Sequence, residues 1–187
     1  MIIYFVRHGE TEWNKKEILQ GHKDSHLTIK GINNAEKLGK ILRDKNIEVI
    51  YSSDLGRCIQ TAEIINKELK LKIVRTSKLR ERNFGDLNGK PNVRVKKALN
   101  LKDADEKAPN GESFNNMKKR VVAFIGSLPN KKYKKVLLIT HEGPARVILS
   151  KYFNTNFNSK KCETSVAVIY SIEANNNKKR LKLINTK

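Results

Sequence analysis

The chain has 187 residues, of which 39 are lysine or arginine and 19 are aspartate or glutamate, so its formal net charge at pH 7 is +20. This length fits a single domain that buries its own core without disulfides or a structural metal. No apolar run is long enough to span a bilayer, no secretory signal precedes the first one, and the two cysteines lack both scaffold density and metal-ligand spacing. We therefore expect a cytoplasmic protein without a membrane anchor.

The basic charge has several possible explanations. A charge of this sign suits nucleic acid, a membrane surface or an anionic substrate. Here the lysines occur as scattered doublets, such as Lys96 with Lys97, and there is no long basic block with interleaved aromatic residues for base stacking. We expect a solvated, lysine-rich surface and no nucleic-acid partner.

Apolar runs and amphipathic segments alternate along the chain, in the order typical of an α/β domain with a mostly parallel sheet. The apolar runs predict strands at Ile2–Val6, Ile47–Tyr51, Leu71–Val74, Val136–Thr140, Ser165–Ile172 and Leu181–Ile184. The amphipathic segments predict helices at Gly31–Asp44, Leu55–Leu69, Ser113–Leu128 and Gly143–Phe153.

Three segments have more specific interpretations. In the third predicted helix, apolar residues recur at helical spacing from Phe114 through Met117 to Ile125, which we interpret as core and not as part of a site. Residues 90–110 contain Pro91 and Pro109 and little periodicity, which predicts a short mobile cover. NNNKKR at 175–180 predicts a hairpin turn.

Two predicted strands end in a histidine that is followed by a polar turn or a helix. The sequences are FVRHGE at 5–10 and VLLITHEGPARVIL at 136–149. Because ligands collect at the carboxyl ends of parallel strands, we expect His8 and His141 to share one site. A zinc site needs three or four ligands, and the other two histidines, His22 and His26, lie in a turn-rich segment without a flanking cysteine. We therefore expect no metal.

Two arginines favour phosphate as the ligand of this site. Arg7 precedes His8, and Arg57 lies near the start of the second predicted helix. Guanidinium groups bind phosphate oxygens in bidentate fashion and stay charged at neutral pH. They also oppose protonation of a neighbouring imidazole, which keeps the histidine available as a nucleophile.

Six motifs, in order and over nearly the whole chain, resemble the histidine phosphatase superfamily, also called the phosphoglycerate mutase-like family. They are RHGETEWN at 7–14, LQGHKDSHLTIKG at 19–31, IYSSDLGRCIQTAEII at 50–65, LRERNFGDLNG at 79–89, PNGES at 109–113 and THEG at 140–143. The resemblance implies a three-layer α/β/α sandwich, mostly parallel, and phosphoryl transfer through a phosphohistidine.

The resemblance also implies a role for each matching residue. His8 corresponds to the nucleophile, and Glu81 to the acid that protonates the leaving oxygen and then activates water. The phosphate pocket corresponds to Arg7, Arg57 and His141, with Asn14, Gln20 and Gly21 lining it. The arginines and His141 then supply the positive charge, so no metal or other cofactor is implied, and 2,3-bisphosphoglycerate serves as a primer only if the protein is a mutase.

The THEG motif departs from the family pattern, in which glycine directly follows the second histidine. Here Glu142 intervenes before Gly143. A carboxylate at this position repels phosphate and raises the pKa of His141 unless it points away or pairs with a cation. We expect Glu142 to pair with Arg146, one helical turn further on.

Three functions are compatible with the motifs: a phosphomonoesterase, a phosphoglycerate mutase, and a non-catalytic protein that binds phosphorylated ligands or acidic partners. ERNFGDLNG at 81–89 resembles the mutase version of its motif. Only 20 residues separate Gly89 from Asn110, however, and they contain no arginine pair, whereas mutases have a longer insertion there that shields the phosphoenzyme from water. We favour a phosphatase that acts on small phosphorylated metabolites, whether as a monomer or as a homodimer.

Overall fold

The computed structural model describes residues 1–128, 132–175 and 178–185. Its centre is a six-stranded sheet with the spatial order β3-β2-β4-β1-β5-β6. The strands are β1 (Ile2–Arg7), β2 (Val49–Ser53), β3 (Ile73–Thr76), β4 (Lys135–Thr140), β5 (Val168–Asn175) and β6 (Lys178–Asn185). The first four strands are parallel to one another, β5 is antiparallel to β1, and β6 is antiparallel to β5. This arrangement confirms the predicted mostly parallel sheet.

The register of the two central strands places their carboxyl ends side by side. Ile2 of β1 pairs with Lys135 of β4, and Arg7 pairs with Thr140. The pairing continues one step further, because the backbone N–H of His8 donates to the carbonyl of Thr140 at 2.9 Å. The two predicted histidine positions therefore lie at one edge of the sheet, as expected for a parallel pair.

Helices cover both faces of the sheet. They are α1 (Glu12–Lys15), α2 (Ile29–Leu42), α3 (Gly56–Leu69), α4 (Asn92–Ala98), α5 (Phe114–Ser127) and α6 (Glu142–Phe153). Because side chains alternate along a strand, Ile3 and Phe5 pack toward α5 and α6, whereas Tyr4 and Val6 pack toward α2 and α3. The result is the expected three-layer α/β/α sandwich.

The four long helices begin and end within about two residues of the predicted bounds, which is the ordinary spread of helix assignments. Their starts follow from capping: Thr28 accepts a hydrogen bond from the backbone of Gly31, and Ser113 accepts one from Asn116. No helix within the described residues is long and apolar enough to cross a membrane.

The predictions missed two short helices and placed three strands too early: β2 and β3 begin two residues later than predicted, and β5 begins three residues later. Both α1 and α4 are too short to show helical periodicity, and α4 lies inside the segment predicted to be a mobile cover. Strand β5 begins at Val168 and not at Ser165, because Ser165 instead donates its backbone N–H to the hydroxyl of Tyr170 at 2.9 Å. β5 and β6 form the predicted hairpin, but Asn175 and Lys178 of the predicted turn pair as strand residues, and 176–177 lie outside the described residues.

Candidate active site

A cavity of about 580 Å³ opens at the sheet edge where β1 and β4 end. Seven of the eight site residues expected from the sequence line it: Arg7, His8, Asn14, Gln20, Gly21, Arg57 and Glu81. The eighth, His141, is fully buried beside His8, with 5.2 Å between the two ring centroids. The cavity thus brings together residues that are far apart in the chain.

His8 presents a neutral imidazole to the cavity. Its Nδ1 lies 2.8 Å from the carbonyl oxygen of Gly9, and since that oxygen only accepts, Nδ1 has the proton and Nε2 keeps its lone pair. Burial lowers the pKa of His8 well below the ordinary 6.5, and the charges of Arg57 and Arg7 lower it further. Nε2 is therefore free to act as a nucleophile at neutral pH.

His141 is also neutral, and this corrects one expectation. Its Nε2 lies 2.8 Å from Oγ of Ser53 and 3.3 Å from Sγ of Cys58, which fixes the ring orientation. Burial lowers the pKa of His141 well below 6.5, and Arg57 is the largest charge contribution in the same direction. His141 can offer a hydrogen bond to a ligand, but in the free protein it does not add positive charge to the pocket.

Arg7 and Arg57 each have one buried hydrogen-bond donor, Nε–H, that is available to a ligand. Both side chains line the cavity, and the Nε–H of each is buried without a hydrogen-bond partner among the residues that the structure describes. A buried donor left unpaired costs about 1–3 kcal/mol, so such groups in a folded protein normally have a ligand. Two guanidinium donors beside a neutral imidazole are the arrangement expected for an anion that binds against His8.

Asp24, which sequence analysis overlooked, fixes the position of Arg57. Its carboxylate lies 2.8 Å from Nη1 of Arg57 and accepts the backbone N–H groups of Gly56 at 2.7 Å and Arg57 at 3.2 Å. It thereby caps α3 from another segment, since the helix has Leu55 at its own cap position. The carbonyl of Gly21 accepts from Nη2 of Arg57 at 2.9 Å, with Gly21 at a φ of +52°.

Replacing Asp24 with alanine should weaken phosphate binding. The D24A variant loses the cap of α3, worth about 1 kcal/mol of stability, and leaves Arg57 free to turn away from the cavity. We expect the inhibition constant of inorganic phosphate to rise about tenfold. D44A is a matched control, because Asp44 is an exposed aspartate just after the end of α2 and does not line the cavity. An unchanged inhibition constant in folded D24A would contradict this role.

Asn14 and Gln20 are oriented by Thr11, the cap of α1. Oδ1 of Asn14 accepts from the backbone N–H and the hydroxyl of Thr11 at 3.0 and 2.9 Å, and the amide of Gln20 donates to the same hydroxyl oxygen at 2.9 Å. Because the oxygen of Asn14 is used by Thr11, its amino group remains as the donor for the cavity. The short helix α1 therefore serves to place a polar donor opposite His8.

Glu81 is a buried carboxyl with a raised pKa. Its oxygens accept the backbone N–H groups of Arg82 at 2.8 Å and Gly143 at 3.2 Å. Burial raises the pKa of Glu81 above the ordinary 4.5, and these two hydrogen bonds only partly oppose it. A Cβ at position 143 would collide with Oε1 of Glu81. The glycine that follows Glu142 therefore leaves the space that this carboxyl occupies.

The segment that holds Glu81 is clamped by Arg120 of α5, a residue that sequence analysis did not select. Its guanidinium donates to the carbonyls of Arg80 at 2.8 Å and Glu81 at 2.9 Å, and it pairs with Glu112 at 2.6 Å. His22 donates to the same carbonyl of Glu81 at 2.9 Å. These contacts fix the backbone of Glu81, so its carboxyl is positioned before a ligand arrives.

Glu142 pairs with Arg146, as expected, and also with Arg7. The distances are 3.1 Å from Oε1 to Nε of Arg146 and 3.2 Å from Oε2 to Nη2 of Arg7. The pKa of His141 is lowered and not raised, first by burial and then by the charge of Arg57. The charge of Glu142 helps to raise the pKa of Glu81.

Apolar side chains also line the cavity. Its lining includes Phe84, Leu101, Phe114, Met117 and Phe157. Phe114 and Met117 are core residues, as predicted, but the interpretation that they take no part in a site is wrong, since one edge of α5 faces the cavity.

The segment 90–110 lies over the cavity. Asn92, Lys96 and Leu101 line it, and Val95 and Leu99 anchor the segment in a small apolar cluster. Its position agrees with a cover, and its mobility stays a prediction.

A neutral histidine, two arginines with free buried donors and a buried carboxyl with a raised pKa, grouped at the edge of a parallel sheet, define a site for phosphoryl transfer. A family model of the histidine phosphatase superfamily, branch 1, matches residues 3–187. The chain belongs to this superfamily and is an enzyme of its phosphatase and phosphoglycerate mutase-like type.

Some relatives in the superfamily are named as phosphoglycerate mutases and others as phosphatases. The chain is 35% identical over 147 residues to a protein named as a probable phosphoglycerate mutase of Proteus mirabilis, covering 74% of this chain and 68% of the relative. It is 34% identical over 188 residues to a broad-specificity phosphatase of Saccharomyces cerevisiae, covering 89% and 78%. Among solved structures, the alpha-ribazole phosphatase of Shigella flexneri is similar at a TM-score of 0.86 and 25% identity, covering 99% and 96%.

Proposed function

We propose that this chain is a phosphomonoesterase that transfers the phosphoryl group of a small phosphorylated metabolite first to His8 and then to water. The observation that supports this most directly is the pair of buried Nε–H donors of Arg7 and Arg57 beside the imidazole, neither of which has a partner within the described part of the chain. A phosphate monoester has a charge of about −1.5 to −2 at pH 7, which suits these two cations.

In the first step, the lone pair on Nε2 of His8 attacks phosphorus and the bond from phosphorus to the ester oxygen breaks. Glu81, whose pKa is raised by burial, gives its proton to the leaving oxygen. Arg7 and Arg57 stabilise the equatorial oxygens of the transferring group through their free donors. The products are an alcohol and a phosphohistidine.

In the second step, water attacks the phosphorus of the phosphohistidine from the side where the alcohol has left. The carboxylate of Glu81 takes a proton from this water, the bond from phosphorus to Nε2 breaks, and the electron pair returns to His8. Inorganic phosphate leaves, and both side chains are restored to their starting protonation states.

We propose that neither step needs a metal or an organic cofactor. The positive charge that a metal would supply comes from Arg7 and Arg57, which are fixed by Thr164, Gly21 and Asp24. We also propose a cytoplasmic location, because Cys58 and Cys162 are both free thiols.

Phosphoglycerate mutase is the second candidate, since a relative with that name is 35% identical. In a mutase the phosphoryl group returns to the substrate, and water has to be excluded in the meantime. The cover of this chain is short, and its helix α4 has only seven residues. The cover also contributes a single cation, Lys96, to the cavity and no arginine pair. These features favour water as the acceptor.

Phosphorus NMR distinguishes the candidates. The protein is incubated in EDTA with phenyl phosphate and, separately, with 3-phosphoglycerate and a trace of 2,3-bisphosphoglycerate. We expect free phosphate from phenyl phosphate, with no loss of activity in EDTA, and no accumulation of 2-phosphoglycerate. Dominant 2-phosphoglycerate would make the protein a mutase. Activity that requires added metal would contradict the cofactor proposal, and no turnover of either compound would favour a binding protein.

A further inference from the structure

Glu142 occupies a special place in the cavity wall. It is the first residue of α6 and lines the cavity together with Arg7 and Arg146, one on each side of it. Its two carboxylate oxygens pair with these two guanidinium groups, Oε2 with Arg7 at 3.2 Å and Oε1 with Arg146 at 3.1 Å. The side chain is 44% exposed, whereas those of Arg7 and Arg146 are 15% and 23% exposed.

The two arginines are fixed independently of Glu142. Nη1 of Arg7 donates to the carbonyl of Thr164 at 2.8 Å, and Nη1 of Arg146 donates to the carbonyl of Phe157 at 3.2 Å. Both guanidinium groups would therefore keep their places if the charge of Glu142 were removed. The carboxylate of Glu142 lies where an anionic group of a substrate could bridge Arg7 and Arg146. It pairs with both cations in place of such a group.

We propose that Glu142 is a specificity-determining residue that selects against phosphomonoesters with a second anionic group near the ester, and so favours neutral leaving groups. This inference rests on the proposed function, because it assumes that the phosphoryl group binds beside Arg7. A second carboxylate or phosphate on the substrate meets the negative charge of Glu142 and finds its two cationic partners already paired. Neutralising Glu142 opens this second site between Arg7 and Arg146.

The test measures binding without turnover. Isothermal titration calorimetry compares phenyl phosphate, which has one anionic group, with 3-phosphoglycerate, which adds a carboxylate. The parent protein is H8A, which cannot form the phosphohistidine, and the variant is H8A/E142Q. We expect affinity for 3-phosphoglycerate relative to phenyl phosphate to rise about tenfold in H8A/E142Q, equal to about 1.4 kcal/mol. The gain should shrink as salt increases, since Glu142 is partly exposed.

Two further variants show where the gain comes from. H8A/E36Q removes the same unit of charge from an exposed residue of α2 outside the cavity, and it should leave the ratio of affinities unchanged. H8A/E142Q/R146Q removes one of the two freed cations and should lose the gain. An unmoved ratio in H8A/E142Q, or an equal rise in H8A/E36Q, would overturn the inference.

The same titration separates this inference from the proposed function. If the parent binds phenyl phosphate and the wild-type protein hydrolyses it while the ratio does not move, only the role of Glu142 fails. If the parent binds neither compound, the phosphate site beside Arg7 fails and the inference fails with it.

Discussion

Replacing His8 with alanine should reduce kcat by about 10⁴-fold or more and abolish formation of a phosphoenzyme. The reason is that Nε2 of His8 is the only nucleophile that the mechanism uses, and nothing else in the proposed chemistry can replace its lone pair. The fold should remain intact, because the side chain lines the cavity and its one hydrogen bond among the described residues is to the carbonyl of Gly9. Steady-state kinetics and thermal unfolding of H8A measure the two effects.

H26A is the matched control for H8A. His26 belongs to the same set of four histidines but is exposed, so its loss should change neither kcat nor the melting temperature measurably. Turnover in folded H8A at a rate close to wild type would contradict the covalent mechanism.

Replacing Glu81 with glutamine should affect the two half-reactions differently. With a leaving group as acidic as p-nitrophenol, the first step needs little help from a proton donor, so kcat/KM for p-nitrophenyl phosphate should change little. Activation of water in the second step still needs the carboxylate, so kcat should fall by about 10²- to 10⁴-fold and phosphoenzyme should accumulate in a burst. With an alkyl ester, which needs its leaving oxygen protonated, kcat/KM should fall as well.

The pH profile gives an independent readout of Glu81. As a general acid it must be protonated, so activity is present below its pKa and is lost as pH rises through it; because burial raises this pKa, the alkaline limb lies above the ordinary 4.5. His8 must be unprotonated, so activity is lost as pH falls through its pKa, which lies well below the ordinary 6.5. We expect E81Q to lose the alkaline limb of kcat/KM for alkyl esters and to keep the acid limb.

Arg120 offers a comparison for E81Q. It contacts the backbone of the segment that holds Glu81 and does not line the cavity. Loss of Arg120 should therefore slow the second half-reaction less than E81Q does. If E81Q and wild type show the same burst and the same alkaline limb, Glu81 is not the proton donor.

The sequence predicted the layers of the fold because its signals are local. An apolar run such as Ile2–Val6 can be buried on both faces only in a sheet covered by helices, and the caps at Thr28 and Ser113 mark helix starts within a few residues. The short elements α1 and α4 gave no such signal. Helix α4 exists because Val95 and Leu99 reach an apolar cluster formed by distant parts of the chain, which periodicity over seven residues cannot reveal.

Site residues that belong to a sequence motif could be predicted. Residues whose role depends on a contact with a distant part of the chain could not. His8, Arg57 and Glu81 stand in recognisable motifs, and the structure places all three around one cavity. Asp24 and Arg120 were missed because their importance arises from contacts across the fold, a cap of α3 and a clamp on Glu81. Local reading of the sequence has no signal for such contacts.

The charge state of the site depended on burial more than on neighbours. From the sequence, His141 was expected to add positive charge, and Glu142 was expected to raise its pKa unless paired. Both expectations considered only nearby charges, whereas full burial of His141 is the largest influence and keeps it neutral. The degree of burial of a residue at a strand end is set by the layers above it, which are known only once the fold is known.

The most direct test is to capture the covalent intermediate. Wild-type protein mixed with p-nitrophenyl phosphate and quenched during turnover, then digested under conditions that preserve phosphohistidine, can be examined by mass spectrometry. We predict one phosphoryl group on the peptide that contains His8, present during turnover, increased in E81Q and lost as inorganic phosphate appears. A protein that hydrolyses the ester with no phosphorylated His8 at any time point, in either wild type or E81Q, would contradict the mechanism.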